Sequence, residues 1–248
     1  MTVTTAILLF LAGFLSSAVN AIAGGGTFLT FGAMTLAGLP PIVANATSSI
    51  VQFPGYVTSA LAYIKEIRKD GREAVTLGII SAIGGLAGAL ILLSLSNPSF
   101  RAMVPWLLIA ATVIFAAGPF LRPTRNMEGA PIGWGGKIGQ FMTAIYGGFF
   151  GAGMGIMMLA VLGLSTGGDY HRVNALKNFL AMVIAAIAIV VFASGNVVGW
   201  LHAAVMIPGG ALGGYAGVWL ARRVPLVIIR SFVVAVGLLL AVYYFVTG

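Results

Sequence analysis

Charge and cysteine are both scarce in this chain of 248 residues. It has no cysteine, which excludes disulfides, thiolate metal sites and a cysteine nucleophile. Charged residues make up only 7% of the sequence, whereas 60% are hydrophobic and the mean hydropathy is +1.06. A water-soluble domain cannot bury that much apolar surface. Apolar runs such as 3–22 and 226–246 reach the roughly 20 residues that cross ~30 Å of hydrocarbon as a helix, so we expect an all-α polytopic membrane protein in contact with the lipid bilayer.

Other classes of protein lack their sequence signals here. The continuous Ala-, Leu- and Gly-rich runs differ from the short alternating strands of a transmembrane barrel. The net charge of +8 comes from basic residues scattered over several loops, so we expect no nucleic-acid partner. No HExxH pair, Walker loop or Gly-x-Ser-x-Gly elbow is present, and we expect no enzyme, no metal site and no cofactor. No Lys or Arg precedes the first apolar run, so we expect that run to be retained rather than cleaved as a signal peptide.

A weak internal repeat relates the two halves of the chain with an offset of 129 residues. It pairs Ala23-Gly24-x-Gly26 with Ala152-Gly153-x-Gly155, and Asn45 with Asn174. The densest match joins 82–88 to 211–217, where five of the seven residues are identical. Duplicated halves are a common plan of transporters. We therefore expect a first repeat over 1–121, a cytoplasmic connecting loop over 122–137 and a second repeat over 138–248, within one integral membrane domain.

The distribution of basic residues predicts that the repeats have inverted topology. Of the 13 Lys and Arg residues, 12 lie in or beside four loops, which are 65–73, 122–137, 167–177 and 222–226. Basic loops face the cytoplasm. The repeat pairs the basic loop 65–73 with the uncharged loop 194–199, so equivalent loops are expected on opposite sides of the membrane. Both chain ends are then expected on the non-cytoplasmic side.

Each inverted half needs an odd number of crossings. Three apolar spans per half supply them, at 43–64, 74–95 and 100–121 and at 176–194, 200–221 and 227–246. The opening segments, 3–22 with 27–38 and 138–152 with 155–166, then have to enter the membrane and return. The second piece of each pair has about 12 residues, or ~18 Å of helix, which is too short to cross. We therefore predict a broken or re-entrant helix pair at the start of each half, with breaks at the glycine clusters.

Polar residues cluster beside both predicted breaks. A helix that begins inside a bilayer presents unpaired N–H groups and the positive end of its dipole, and both favour an anion. Small polar side chains and one lysine add further donors at these helix starts. We therefore expect a site for a small anionic substrate formed by Asn20, Gly24, Gly25, Gly26, Thr27, Asn45, Thr47, Ser48, Ser49, Gln52, Gly153, Gly155, Asn174, Lys177 and Asn178.

Structural alternatives stay open for several of these residues. Asn45 and Asn174 can act as N-caps of their own helices, with the neighbouring hydroxyls bonded to the local backbone. Lys177 can snorkel to the cytoplasmic surface without binding a ligand. His171 and Arg172 are expected in a loop, with Arg172 as a weaker candidate for substrate entry.

The segment AIAGGGTFLTFGAMTLAGLPPIVANATSS, the KEIRK loop after it and GGFFGAGMGIMMLAVLGL in the second half resemble the sulfite exporter TauE/SafE family of membrane permeases. The resemblance extends over essentially the whole chain. It implies movement of small anions, typically sulfite, organosulfonates or related sulfur and carbon oxyanions, across the cytoplasmic (inner) membrane. Family members often carry a second Thr-Ser where this chain has Leu176-Lys177-Asn178, and this departure bears on which anion is carried.

We therefore expect a secondary anion transporter, an exporter, that works by alternating access. The main alternative is a channel-like or scaffold membrane protein without a coupled cycle. No acidic residue lies centrally in a predicted span, so a coupling proton would have to be carried by the substrate or by a lysine.

Overall fold

The computed structural model describes residues 2–117, 132–166, 170–220, 223 and 226–247. Every secondary-structure element in these ranges is a helix, as expected for an all-α membrane protein. The first half contains α1 (Val3–Ala23), α2 (Thr27–Leu36), α3 (Pro41–Ala62), α4 (Ile64–Lys69), α5 (Gly71–Leu93) and α6 (Asn97–Ala117). The second half contains α7 (Trp134–Phe149), α8 (Met154–Thr166), α9 (Tyr170–Ser194), α10 (Trp200–Leu220) and α11 (Leu226–Thr247).

The helices of the two halves correspond in order at the repeat offset. The equivalent of α3 is 170–191, which lies within α9, and the equivalent of α6 is 226–246, which is almost all of α11. The short α4 is the exception, because its equivalent residues 193–198 contain the end of α9 and an irregular loop. Each half therefore consists of a broken pair of opening helices followed by three longer helices.

Three predicted boundaries differ from the structure because polar or charged residues lie inside helices. The predicted loop 65–73 contains α4, whose Ile67 is buried while most of its charged residues are exposed. The helix α9 begins six residues before the predicted span at 176, so His171 and Arg172 lie in its first turn and not in a loop. The helix α7 begins at Trp134, within the predicted connecting loop. Residues 118–131 of that region, including the end of the predicted span 100–121, lie outside the described residues.

Glycines allow the halves to pack closely on each other. In α10, a Cβ on Gly213 or Gly217 would collide with the backbone of Phe14 or Ala18 in α1. The equivalent contact joins α5 to α7, where a Cβ on Gly88 would collide with the backbone of Ile145. The glycine clusters that match best in the repeat therefore form the contacts between halves, as small residues commonly do between membrane helices.

Two pairs of equivalent helices, α6 with α11 and α3 with α9, make contacts consistent with an antiparallel arrangement. Along α6 and α11, Arg101 Nη2 donates to Thr247 O at 2.7 Å, and Thr112, further along α6, faces Gly237, which lies earlier in α11. Along α3 and α9, Tyr63 near the end of α3 contacts the ring of His171 at the start of α9. Antiparallel equivalent helices are the arrangement that an inverted repeat requires. The direction of each half across a bilayer stays a prediction.

The exposed surface of the long helices is apolar. In α5, large aliphatic side chains recur every three or four residues and are 42–61% exposed; they are Val75, Ile79, Ile83, Leu86 and Leu90. The opposite face of α5 carries the buried Gly84, Gly85 and Gly88. An apolar stripe that faces outward while small residues face inward indicates lipid as the surrounding solvent.

Four described helical segments are long and apolar enough to cross a membrane. They are Val3–Ile22, Gly71–Leu93, His171–Ser194 and Val227–Thr247. The helices α3, α6 and α10 have 21 or 22 residues, or about 32 Å of helix. Exposed tryptophans at both ends of α10, Trp200 and Trp219, are typical of residues that lie at the two membrane interfaces. Crossing by these three helices remains a prediction.

Candidate functional site

Both opening helix pairs break at glycine. The left-handed residue after α1 is Gly24, with φ of 86°, and the equivalent residue between α7 and α8 is Gly153, with φ of 80°. Glycine adopts these angles without the penalty that a Cβ brings. Gly151, with φ of 74°, adds a second left-handed residue to the second break. The helix ends therefore lie where the glycine pattern predicts them.

The two breaks cross each other in direct backbone contact. A Cβ placed on Gly24 would lie 2.7 Å from Cα of Gly155, and a Cβ on Gly155 would lie 2.6 Å from Cα of Gly24. The first break lies beside the middle of α3, where the Asn20 side chain bonds to Gln52. The second break lies beside the middle of α9, where Gly147 packs on Ile184. The structure thus brings the two breaks together halfway along the long helices.

Each half holds the broken helix of the other half through an asparagine. Asn45 Nδ2 donates to the carbonyl of Phe149, the last residue of α7, at 2.9 Å. Asn174 Nδ2 donates to the carbonyl of Ala21, in the last turn of α1, at 3.3 Å. The last carbonyls of a helix have no intrahelical partner, so these bonds satisfy groups that the breaks leave open. Both asparagines lie inside α3 and α9, and the N-cap alternative is therefore wrong.

Lys177 is buried at the same place and is only 1% exposed. Its Nζ donates to the carbonyl of Asn20 at 3.0 Å, which also accepts from the N–H of Gly24. The C-terminal end of a helix carries partial negative charge, so α1 stabilises the ammonium. The other two N–H bonds of Lys177 have no acceptor among the described residues, and no described carboxylate pairs with it. The snorkelling alternative is wrong, because the ammonium points toward the break.

A buried polar network lies between α1 and α3. Asn20 Nδ2 donates to Gln52 Oε1 at 3.2 Å and to the Tyr56 hydroxyl at 2.7 Å. Ser17 donates to the same Gln52 oxygen at 3.2 Å, and Gln52 Nε2 donates to Ser16. The equivalent positions of the second half are occupied by Ile145, Tyr146, Phe149, Ala181 and Ala185. The network is therefore specific to the first half, while the lysine comes from the second.

The N–H groups at the start of α2 have no hydrogen-bond acceptor in the described part of the chain. Among the described residues, no acceptor binds the N–H groups of Gly25 and Gly26. These groups lie at the positive end of the α2 dipole. A cavity beside them is lined by Thr27, Ser49, Gln52, Tyr56, Gly147, Gly151, Met154, Ile184, Ala185 and Ala188. It has room for about one water molecule, so the helices have to separate before a larger solute enters.

Three predicted site residues have other surroundings. Thr47 Oγ1 accepts a hydrogen bond from the N–H of Gly199, in the loop before α10, at 2.9 Å. Ser48 donates to the Ala44 carbonyl of its own helix at 2.8 Å. Asn178 is fully buried, and neither polar atom of its amide has a partner within the described part of the chain.

Sequence reasoning missed Ser16, Ser17 and Tyr56, which complete the network. All three lie within apolar runs, where a hydroxyl carries no local signal of its partner. The one available signal was their spacing, because Ser16 and Ser17 precede Asn20 by four and three residues and share its side of α1. Tyr56 likewise follows Gln52 by one helical turn.

Arg172 forms the one salt bridge among the described residues. Its guanidinium donates to both carboxylate oxygens of Asp70, at 2.6 and 2.7 Å. Asp70 lies between α4 and α5, so the pair joins the first half to the start of α9. The hypothesis that Arg172 marks substrate entry is untested, but the side chain is paired rather than simply solvated.

The comparison with known proteins agrees with this architecture. The model of the sulfite exporter TauE/SafE family matches residues 9–244. The chain belongs to the sulfite exporter TauE/SafE family. A probable membrane transporter protein of Haemophilus influenzae is 27% identical over 235 residues, covering 94% of this chain and 91% of the relative. The probable membrane transporter protein YfcA of Escherichia coli K12 is 27% identical over 240 residues, covering 92% and 85%. With its long apolar helices, this TauE/SafE member is a multi-pass transmembrane protein.

Proposed function

We propose that this TauE/SafE member is a secondary transporter that exports small anions, such as sulfite, organosulfonates or related oxyanions, across the cytoplasmic membrane. The observation that supports the proposal most is the buried ammonium of Lys177 at the crossing of two broken helices. A charge inside a membrane is costly and is found mainly at substrate or ion pathways. The family name and the names of the relatives agree with transport.

The groups at the crossing fit an anion. The N–H groups of Gly25 and Gly26 have no acceptor in the described chain, and Lys177 has two N–H bonds to spare. An oxyanion between them would accept hydrogen bonds from the start of α2 and neutralise the ammonium. Such charge-assisted hydrogen bonds offset the cost of desolvating the anion. Asn45, Asn174 and Gln52 then act by holding the two breaks in position.

Two contacts between the halves support alternating access as the mechanism. The Asp70–Arg172 pair closes one end of the α3–α9 contact, and the Thr47–Gly199 hydrogen bond closes the other. We propose that each opens in turn while the other stays closed. The basic residues near Asp70 favour the cytoplasm for that end, and an inverted repeat would put the other end on the opposite side.

Flux measurements with the purified protein in liposomes test this function. We expect sulfite efflux to saturate with concentration and to be accelerated by sulfite on the opposite side, as a carrier requires. A fast conductance that does not saturate would instead support the channel-like alternative. Absence of flux for sulfite and for simple sulfonates would support the scaffold alternative.

A further inference from the structure

We infer that the anion site admits anions without an ammonium group and rejects zwitterions such as aminosulfonates. This inference rests on the proposed anion transport and names the charge pattern of the substrates. It follows from the distribution of acidic residues relative to Lys177 and the two helix breaks.

The helices that meet at the breaks contain no acidic residue. These are α1, α2, α3, α7, α8 and α9, and Lys177 is the charged residue among them that lies at the crossing. The chain has five acidic residues in all, Glu66, Asp70, Glu73, Glu128 and Asp169. The first three lie in or between α4 and the first turn of α5, and none of them forms a hydrogen bond or ion pair with a described residue of either break. The last two lie outside the described residues, in predicted loops.

Two described carboxylates contact residues of the second half, and neither forms a hydrogen bond with a described residue of the breaks. Asp70 binds Arg172, and Glu73 Oε1 accepts from the N–H of Ile132 at 3.1 Å, while Glu73 Oε2 is buried without a partner among the described residues. The ammonium of a zwitterion bound at the crossing would therefore find no carboxylate among the described residues of the breaks. It would also lie close to Lys177, where like charges repel strongly because little water screens them.

An uncharged hydroxyl meets no such penalty. The amide oxygens of Asn45, Asn174 and Asn178 are buried and have no donor among the described residues. A hydroxyl can donate to such an oxygen without adding positive charge, and an unpaired buried acceptor gains from the new bond. A hydroxysulfonate should therefore bind at least as well as an alkylsulfonate, and both should bind better than an aminosulfonate of the same size.

Three sulfonates of nearly equal size test the inference. Isethionate, ethanesulfonate and taurine differ only in the group on the carbon farthest from the sulfonate, which is a hydroxyl, a hydrogen or an ammonium. We expect isethionate and ethanesulfonate to raise the melting temperature of the purified wild-type protein at neutral pH. Taurine should need at least a tenfold higher concentration for the same shift. Equal stabilisation by taurine and isethionate overturns the inference but leaves the proposed anion transport intact. Failure of all three sulfonates and of sulfite to stabilise the protein contradicts the proposed function as well.

A carboxylate added to the site should abolish the preference. Ser49 lines the cavity, so Ser49→Asp places a negative charge beside it, and we expect isethionate binding to fall at least tenfold while the preference for isethionate over taurine disappears. Ser99→Asp makes the same chemical change on the exposed start of α6 and should alter neither ligand. An unchanged preference in folded Ser49→Asp overturns the inference. If Ser49→Asp does not fold, the melting temperatures of the wild-type protein with the three sulfonates test the inference on their own.

Discussion

Asp70 and Gly199 occupy equivalent positions in the two halves, 129 residues apart, and each is bound by a residue of the opposite half. The Asp70 carboxylate accepts two hydrogen bonds from Arg172, at 2.6 and 2.7 Å. The N–H of Gly199 donates a single hydrogen bond to Thr47, at 2.9 Å. A bidentate charge-assisted pair is stronger than one neutral hydrogen bond. The two halves are therefore in contact at both ends of the α3–α9 pair, and the contact at Asp70 is the stronger one.

Weakening the Asp70 contact should open that end. Asp70→Asn removes the charge, and the loss of a charge-assisted hydrogen bond of about 1.5–3 kcal/mol should raise the open population roughly 10- to 150-fold. Because the chain has no cysteine, Ser49→Cys provides a single label in the cavity. We expect faster labelling of this cysteine from the cytoplasmic face of membrane vesicles when Asp70→Asn is added.

Thr47→Val is the matched control for the opposite end. It removes the hydrogen bond to Gly199 and should speed labelling from the non-cytoplasmic face, by a smaller factor. Identical labelling rates for wild type and Asp70→Asn would show that the ion pair does not control access.

Removing the buried charge of Lys177 should weaken anion binding. Lys177→Met keeps a long side chain for packing but loses the ammonium, so we expect sulfite or isethionate to bind about 10- to 150-fold more weakly, equivalent to about 1.5–3 kcal/mol. Lys177→Arg should recover only part of the affinity, because a planar guanidinium donates in different directions. Ligand-dependent melting temperatures of the purified variants measure both effects.

Lys65→Met is the control, since Lys65 is exposed at α4 and its loss changes net charge equally. Wild-type affinity in a folded Lys177→Met variant would mean that the ammonium serves only to satisfy the end of α1. The anion site would then have to be sought around Thr27 and Gln52.

The sequence predicted the helix order and both breaks because local patterns determine them. Glycine clusters and apolar runs separated by the repeat offset are visible without the fold, and the clusters contain Gly24 and Gly153, which prove to be left-handed. The short α4 was missed because its charges indicated a loop, although Ile64 and Ile67 share one helical face.

The partners of the polar residues could not be predicted in the same way. Asn45 and Phe149 are 104 residues apart, and only the crossing of the two breaks brings them together. Thr47 and Asn45 look alike in the sequence, yet one binds the loop before α10 and the other binds the end of α7. The direction in which a helix turns each small polar side chain depends on packing between the halves.

The inverted arrangement predicts the sidedness of both chain ends. Thr2 and Thr247 are exposed and single cysteines there should both react with a membrane-impermeant maleimide added outside intact cells. A cysteine at the exposed Lys69, the last residue of the basic helix α4, should react only after the membrane is permeabilised. Protection of Thr2→Cys with labelling of Thr247→Cys would give the halves an unequal number of crossings and contradict the inverted topology.

The contact between the two breaks can be tested with glycine substitutions. These distinguish the backbone strain of a left-handed residue from the steric clash of an added Cβ. Gly24 and Gly38 have nearly the same left-handed φ, 86° and 88°, but a Cβ on Gly38 would meet nothing within 4 Å. Gly38→Ala should therefore cost only the left-handed strain, about 1–2 kcal/mol of unfolding free energy. Gly24→Ala adds a collision with Gly155, and overpacking costs about 1–3 kcal/mol more.

Gly155→Ala approaches the same contact from the other side, and no left-handed φ adds to its cost. We expect it to destabilise the protein through collision alone. Gly24→Ala should therefore have a lower unfolding free energy in mild detergent than either Gly155→Ala or Gly38→Ala. Sulfite flux should fall in Gly24→Ala and Gly155→Ala but not in Gly38→Ala, because only the first two push the breaks apart. Equal stability and equal flux for Gly24→Ala and Gly38→Ala would mean that the breaks separate freely, and a rigid crossing could not then position an anion between Lys177 and α2.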